Sequence, residues 1–232
     1  MKVAVTGATG FIGKYLVNKL TDRGFGVLAL GRSKTKLDKT FKQNVSNRET
    51  DYSLLSLNEV LRSADIVVHL AARRMSKNSS PLDLGVFLDD NVKITENLLK
   101  AAQNNSMERV CNISSISVYS SQNRTPFKER DKAIPSSVYG ISKLVTEKYS
   151  ALFSRTTGLP VINLRLSQVI GLGERSDLIF MKFLNLARQK KPLPIWGEGK
   201  TAFDFIYVKD VVEAIYKVIS LDIFDGNETY NI

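Results

Sequence analysis

The chain has 232 residues, 43% of them hydrophobic, enough for one substantial core and a small appendage. No apolar run approaches the ~18 residues of a membrane span, and the N-terminus enters a strand without a charged n-region, so neither a membrane helix nor a signal peptide is expected. A net charge of +10 suggests nucleic acid, but the densest basic runs, Lys34-Lys36-Lys39-Lys42 and Arg188-Lys190-Lys191, have no interleaved aromatic platform and read as solvated helix faces that steer a polyanionic ligand.

The first element is a buried strand from Val3, and Phe11 opens a helix with apolar residues at Phe11, Ile12, Tyr15, Leu16 and Leu20. Between them stand Gly7, Gly10 and Gly13. A strand that turns through glycines into a helix lets backbone N–H groups approach a pyrophosphate, with the positive helix end behind it. An ordinary tight turn needs one glycine, not three, so the expected occupant is a dinucleotide. The spacing is GxxGxxG rather than the usual GxGxxG, so the rest of the chain must support it.

GVLAL (26–30) is a short apolar strand, and the next helix is expected over 53–62, where Ser56 and Glu59 have capping-box spacing. ADIVVHLAA is a buried strand ending near Ala71. A long helix follows from about Asp83 to Asn104, then the strand RVCNISS, a second long helix from Val138 to Ser154, and the strand PVINLRL. Continuous Val/Ile/Leu strands alternating with helices imply a parallel sheet covered on both faces, with a ligand at the strands' carboxyl ends. From Gly171 the pattern changes, and Pro192, Pro194 and Trp196 mark a smaller lobe. The expected division is a dinucleotide-binding domain over 1–166 and a partial substrate lobe over 167–232, interleaved with the last sheet elements. The single cysteine, Cys111, reads as a small core residue of a cytoplasmic protein, and one histidine with no Cys/His cluster argues against a zinc site.

The strand RVCNISS runs into SSISVY (114–119), and the helix after it begins YGISK, so Tyr139 and Lys143 share one helical face. A free tyrosine, with a pKa of about 10, is a poor base at neutral pH. A nearby ammonium and a cationic nicotinamide ring both favour its phenolate. Ser115 would hold a substrate hydroxyl or carbonyl while Tyr139 moves the proton and hydride passes to or from the cofactor. Taken alone, Tyr139 and Lys143 could merely pack on an exposed helix; the strand-end serines and the glycine turn strengthen the catalytic reading.

Together these segments resemble the extended short-chain dehydrogenase/reductase family in its epimerase/dehydratase branch, over nearly the whole chain. The resemblance implies a Rossmann doubly wound parallel sheet, α/β in class, with a small C-terminal substrate lobe. TGATGFIG at 6–13 is similar to the family's TGxxGxxG loop, which implies cofactor contacts at Gly7, Thr9, Gly10, Phe11, Ile12 and Gly13. HLAA implies contacts at Leu70, Ala71 and Ala72; Asp51 and Tyr52 in TDY fall at the adenine; Asn91 in DDNVKITENLL matches an asparagine that organises the active site. Ser115, Tyr139 and Lys143 match the catalytic triad, the last two also touching the cofactor. His69 is thereby a strand-end residue and not a base. GEGKTAFDFIYVKDVVEAI is similar to the family's G-x-G…DFIYV-x-D segment.

Dehydratases of the family carry an Asp-Glu pair where this chain has Ile116 and Ser117, so dehydration is not expected. Three further positions depart from the epimerase pattern. Gly31, with Arg32, Ser33 and Lys34 after it, replaces the carboxylate that accepts from the ribose hydroxyls, which suits a 2′-phosphate and favours NADP slightly over NAD. Phe203 stands in place of a diphosphate-gripping arginine, and Gln168 in place of an asparagine; Arg175, Lys182 and Lys200 are the nearby cations. The main reading is a sugar-nucleotide epimerase acting by transient hydride transfer. The alternatives are an NADP-dependent reductase of a keto-sugar or other carbonyl, and a non-catalytic dinucleotide sensor. The expected partner is a nucleotide sugar, with no nucleic acid or membrane, in a possible homodimer through the two long helices. In this family a segment similar to ETYNI (228–232) is followed by several tens of residues that complete the small lobe, so an open substrate cleft is expected.

Overall fold

The computed structural model describes residues 1–232 except 42–43, 77–79, 81, 196, 201 and 222–225. Lys42 and Trp196 therefore lie outside the described residues. Seven parallel strands form one sheet in the order β3-β2-β1-β4-β5-β6-β9: β1 (Lys2–Thr6), β2 (Gly26–Gly31), β3 (Val45–Glu49), β4 (Ile66–His69), β5 (Arg109–Ser115), β6 (Val161–Leu166) and β9 (Asn227–Asn231). Two short strands, β7 (Gln168–Ile170) and β8 (Phe205–Tyr207), pair separately. The helices are α1 (Phe11–Asp22), α2 (Lys34–Thr40), α3 (Leu54–Val60), α4 (Leu84–Phe87), α5 (Ile94–Asn104), α6 (Val138–Thr157), α7 (Ile179–Arg188) and α8 (Val208–Ile219).

The central strands β1, β2 and β4 are largely apolar because both faces of the sheet are covered there. Val3 and Val5 enter a core with Leu16, Leu20, Val211 and Ile215, whereas the intervening Ala4 enters a second core with Leu57, Leu98 and Leu99. Consecutive parallel strands wind outward from β1 in one direction and from β4 in the other. The sheet's topological switch point, the favoured place for a ligand, thus lies between β1 and β4.

Local reading succeeded where the hydrophobic period was strong. The expected strand at 109–115 and helix starts at Phe11 and Val138 coincide with the observed ones. The capping expectation at Ser56 does not hold: Ser53 is the cap, its hydroxyl accepting from the Ser56 N–H at 3.3 Å. β3 reads VSNRE, too polar for a period-2 signal, and is recognisable as a strand only from its pairing with β2. The long helix expected from Asp83 forms as α4 and α5 joined by a π-helical turn, Leu88–Lys93. After β7 and β8 the chain returns to the main layers. Lys19 of α1 and Glu213 of α8 pair at 2.6 Å, and β9 lies beside β6.

His69 fastens the centre of this arrangement. The Leu70 and Ala71 N–H groups both donate to Thr6 Oγ1 at 3.1 Å, so the Thr6 hydroxyl donates to His69 Nδ1 at 2.8 Å. His69 Nε2 then donates to Thr95 Oγ1 at 3.2 Å, and Thr95 donates to the Asn91 carbonyl at 2.7 Å. Burial, reinforced by the Lys143 charge, pushes the His69 pKa from 6.5 to about 3. Between those values the unfolded chain binds a proton that the folded protein refuses. Acidification through that window should cost up to ~1.4 kcal/mol of stability per pH unit. Urea unfolding of wild type and His69→Asn across the window checks this: the variant's stability should fall less steeply by one proton's worth.

Candidate active site

A cleft of about 1000 Å³ opens at the carboxyl ends of the strands over the switch point. Its floor is the glycine turn. Gly7 has φ of +63°, and a Cβ there would lie 2.9 Å from the Ala71 nitrogen. A Cβ on Gly13 would lie 2.4 Å from the Gly7 carbonyl oxygen, so glycine alone permits this helix–turn approach. No side chain caps α1 at Gly10, and its first turn has no acidic residue. The first helical bond runs from Lys14 N–H to the Gly10 carbonyl at 3.1 Å, which leaves the N–H groups of Phe11, Ile12 and Gly13 without a partner among the described residues. Such a terminus favours an anion, so this cradle fits the pyrophosphate of a dinucleotide.

Gly7, Thr9, Gly10, Phe11, Ile12, Gly13, Leu70, Ala71 and Ala72 all line the cleft, as do Arg32, Ser33 and Tyr52 toward its outer end. Asp51, expected at the adenine, does not line it. Its carboxylate accepts from the Ser53 N–H at 2.8 Å, and this bond holds its pKa below the usual range. Tyr52, with φ of +64°, turns inward instead and accepts from the Gly7 N–H at 3.3 Å. Arg32 lies over the Tyr52 ring and pairs with Asp90 at 2.8 Å. Ser33 Oγ is engaged as the cap of α2, accepting from the Lys36 N–H at 3.3 Å.

At the inner end the last residues of β5 meet one face of α6. Tyr139 is hydrogen-bonded to Ser115, and Lys143 donates to the Ile113 carbonyl at 2.7 Å. The three side chains Ser115, Tyr139 and Lys143 line the cleft together. Burial raises the Tyr139 pKa, opposed by the Arg74 charge and the Ser115 hydrogen bond. Burial lowers the Lys143 pKa to about 8, with Glu147 pulling the other way. Lys143 therefore remains mostly ammonium at neutral pH, and it lines the same cleft as Tyr139. Asn91 is buried behind the cleft rather than in its wall. It accepts from the Arg73 N–H at 2.7 Å and donates to Ser142 Oγ at 3.0 Å, tying the loop after β4 to α6.

Of the expected substrate contacts, Gln168 lines the cleft and Phe203 does not. Phe203 is 49% exposed and stacks on Phe205, because the strand that follows carries it away from the cleft. Arg73, Arg74 and Glu174 in the cleft wall carried no motif, and Asp90 stood unremarked beside Asn91 in DDNVKITENLL. Arg74 pairs at 3.0 Å with the buried Glu174, one hundred positions away. Arg175, one of the cations considered for a substrate diphosphate, donates to the Met75 carbonyl at 2.9 Å. Lys200 pairs on the surface with Glu198.

A model of the NAD dependent epimerase/dehydratase family matches residues 3–232. Among known proteins, the uncharacterized UDP-glucose epimerase YtcB of Bacillus subtilis (strain 168) is 30% identical, over 100% of this chain and 76% of that protein. The structure of UDP-N-acetylglucosamine 4-epimerase from Bacillus cereus matches with a TM-score of 0.87 at 31% identity, over 100% of this chain and 75% of that one. UDP-glucuronic acid 4-epimerase from Bacillus cereus, in complex with UDP-glucuronic acid and NAD, matches with a TM-score of 0.87 at 27% identity, over 100% and 77%.

Two outcomes follow from the geometry at α6. A Cβ on Gly140 would lie 2.0 Å from the Ser117 carbonyl oxygen, a backbone atom that cannot give way. Gly140→Ala should cost roughly 1–3 kcal/mol of stability and lower turnover, measured by thermal melts and assay. Lys143→Met should act oppositely on stability. The depressed pKa of Lys143 means that holding its charge in the fold costs roughly 3 kcal/mol at neutral pH, partly offset by the Ile113 bond that the variant also loses. The variant should melt higher than wild type at neutral pH. That advantage should shrink as pH rises from about 8 toward 10.5, where the folded wild type already holds a neutral amine.

Proposed function

The chain belongs to the NAD-dependent epimerase/dehydratase family, and from that premise we propose that it epimerises a nucleotide sugar at a carbinol carbon. The observation that carries the reading is the convergence of Ser115, Tyr139 and Lys143 in one cleft with the N-terminus of α1, which no side chain caps. A nicotinamide dinucleotide bound along that cleft supplies a reversible two-electron acceptor beside the sugar carbon. Ser115 orients the sugar hydroxyl by hydrogen bond. Tyr139 takes the hydroxyl proton as general base and returns it as general acid when the opposite configuration forms. The Lys143 ammonium lowers the cost of the phenolate and would also hold the nicotinamide ribose. Ile116 and Ser117, the positions after Ser115, provide neither the acid nor the base that loss of water needs, which argues against dehydration.

The substrate is a diphosphate-linked sugar, similar to those of the related epimerases, and Arg74 is the cation in the cleft beside Tyr139. Gly31, which brings no carboxylate, admits a cofactor with a 2′-phosphate alongside NAD. A Cβ at Gly31 would meet Leu37 only at 3.6 Å, so a carboxylate there is sterically admissible and its absence is a chemical choice. We assign a homodimer through the long helices, on the support of α6. This helix buries Ser142, Thr146, Ser150 and Ser154 and leaves Ile141, Val145 and Leu152 exposed in one stripe. A reducing, cytoplasmic setting suits the unpaired and deeply buried Cys111.

The test is to incubate the protein with UDP-glucose, UDP-N-acetylglucosamine and UDP-glucuronic acid plus NAD and to resolve the epimers chromatographically. Tyr139→Phe should lower turnover by ~10²–10⁴-fold while leaving dinucleotide affinity nearly unchanged. Normal turnover in that variant removes Tyr139 from the reaction. Consumption of NADPH with a keto-sugar, without epimer formation, would favour the reductase reading.

A further inference from the structure

The reading of the cleft as a dinucleotide site leaves open which residues choose between a cofactor with and without a 2′-phosphate. The sequence points to Arg32, Ser33 and Lys34 after Gly31, but in the fold Ser33 caps α2, Lys34 pairs with Asp38 and Arg32 is already engaged. Its guanidinium donates to one carboxylate oxygen of Asp90 at 2.8 Å, and Arg73 donates to the other at 2.5 Å. Arg32 follows β2 and Arg73 lies on the loop after β4, so the two cations flank β1, whose end opens into the glycine turn. Asp90 reaches between them from the π-helical turn Leu88–Lys93, a local irregularity of the kind often found at functional positions. All three side chains line the cleft. We propose that Asp90 is a specificity-determining residue for the cofactor, an internal counter-ion that occupies Arg32 and thereby withholds it from a ribose 2′-phosphate.

The electrostatics follow from counting charges on the page. The Arg32, Arg73 and Asp90 cluster carries a net charge of +1, and Lys36, which also lines this end of the cleft, brings it to +2. A 2′-phosphate must compete with an anion already seated in the bidentate-capable face of Arg32, whereas a free ribose hydroxyl need not. The Asp90 carboxylate is ionised in this setting: burial opposes its charge, but the hydrogen bonds and charges of Arg32 and Arg73 outweigh that and hold its pKa below the usual range. Arg32 also lies over the Tyr52 ring, so its side chain is aimed along the cleft wall and need not swing far to exchange one oxyanion for another. Removing the Asp90 charge while keeping its shape leaves the two arginines with +2 between them, and no anion, beside Lys36.

Isothermal titration of NAD⁺ and NADP⁺ into wild type, Asp90→Asn, Arg32→Ala and the double variant tests the assignment without any turnover. Wild type should bind the two cofactors within about threefold of each other. Asp90→Asn should tighten NADP⁺ roughly tenfold and NAD⁺ by no more than about twofold. That gain should disappear in the double variant and shrink in high salt, because the site is partly open to solvent. Arg32→Ala in the wild-type background should cost NADP⁺ only a few-fold, since Asp90 already neutralises Arg32. Circular dichroism and melting curves confirm that each variant is folded, and Arg32→Ala probes the same competition if Asp90→Asn is not. An Asp90→Asn protein that binds both cofactors with an unchanged ratio overturns this inference and leaves the dinucleotide reading standing. Failure of wild type to bind either cofactor overturns both.

Discussion

The close approach of α6 to the end of β5 is the constraint on which the site depends. It exists because Gly140 has no side chain, which lets the first turn of the helix press on the Ser117 carbonyl. Three consecutive β5 residues then each hold one residue of an α6 row spaced by four. Ile113 receives Lys143, Ser114 donates to Glu147, and Ser115 meets Tyr139. A helix rotates by about 100° per residue, so positions four apart stay within one face, and a fixed strand end can engage all three only in one rotational setting. The geometry at Ser115, Tyr139 and Lys143 is therefore set by backbone contact and by a row of polar contacts, not by the side chains of the cleft alone.

That row is unusual in what it buries. Glu147 is 4% exposed and is bound by Arg165 of β6 through two separate nitrogens, at 2.9 and 2.7 Å; Arg165 also contacts the Tyr119 hydroxyl. A buried pair of this kind contributes little net stability but costs several kcal/mol if one partner is lost. Here it has a local consequence. Arg165 satisfies the carboxylate, so Glu147 influences Lys143 through its field, one helical turn away, without drawing the ammonium out of the cleft. The buried face of α6 is largely polar, Tyr149 and Phe153 pack on the second core, and Ile141, Val145 and Leu152 lie outward.

The cofactor end follows a different logic. At the α1 terminus the bare N–H groups and close glycine contacts suit a pyrophosphate whatever nucleotide carries it. Discrimination falls to side chains farther out, where Arg32, Asp90 and Arg73 meet from three segments. At that outer end β2 closes on Gly31 and Arg32, with no carboxylate at the strand's end.

Sequence alone determined what depends on neighbours along the chain. Apolar runs of the right length gave the parallel sheet, three glycines between strand and helix gave the anion cradle, and a spacing of four put Tyr139 and Lys143 on one face. Each is a statement about local period, and backbone geometry fixes those periods whatever the rest of the fold does. Tertiary structure decided the rest. Whether Asp51 or Tyr52 faced the cleft depended on the left-handed turn at Tyr52, and the polar β3 became a strand only by pairing with β2. Arg32 found Asp90 fifty-eight positions away, and Arg74 found Glu174 one hundred positions away. Such partners are chosen by the order in which strands cross over, and a single sequence carries no local period that encodes that order.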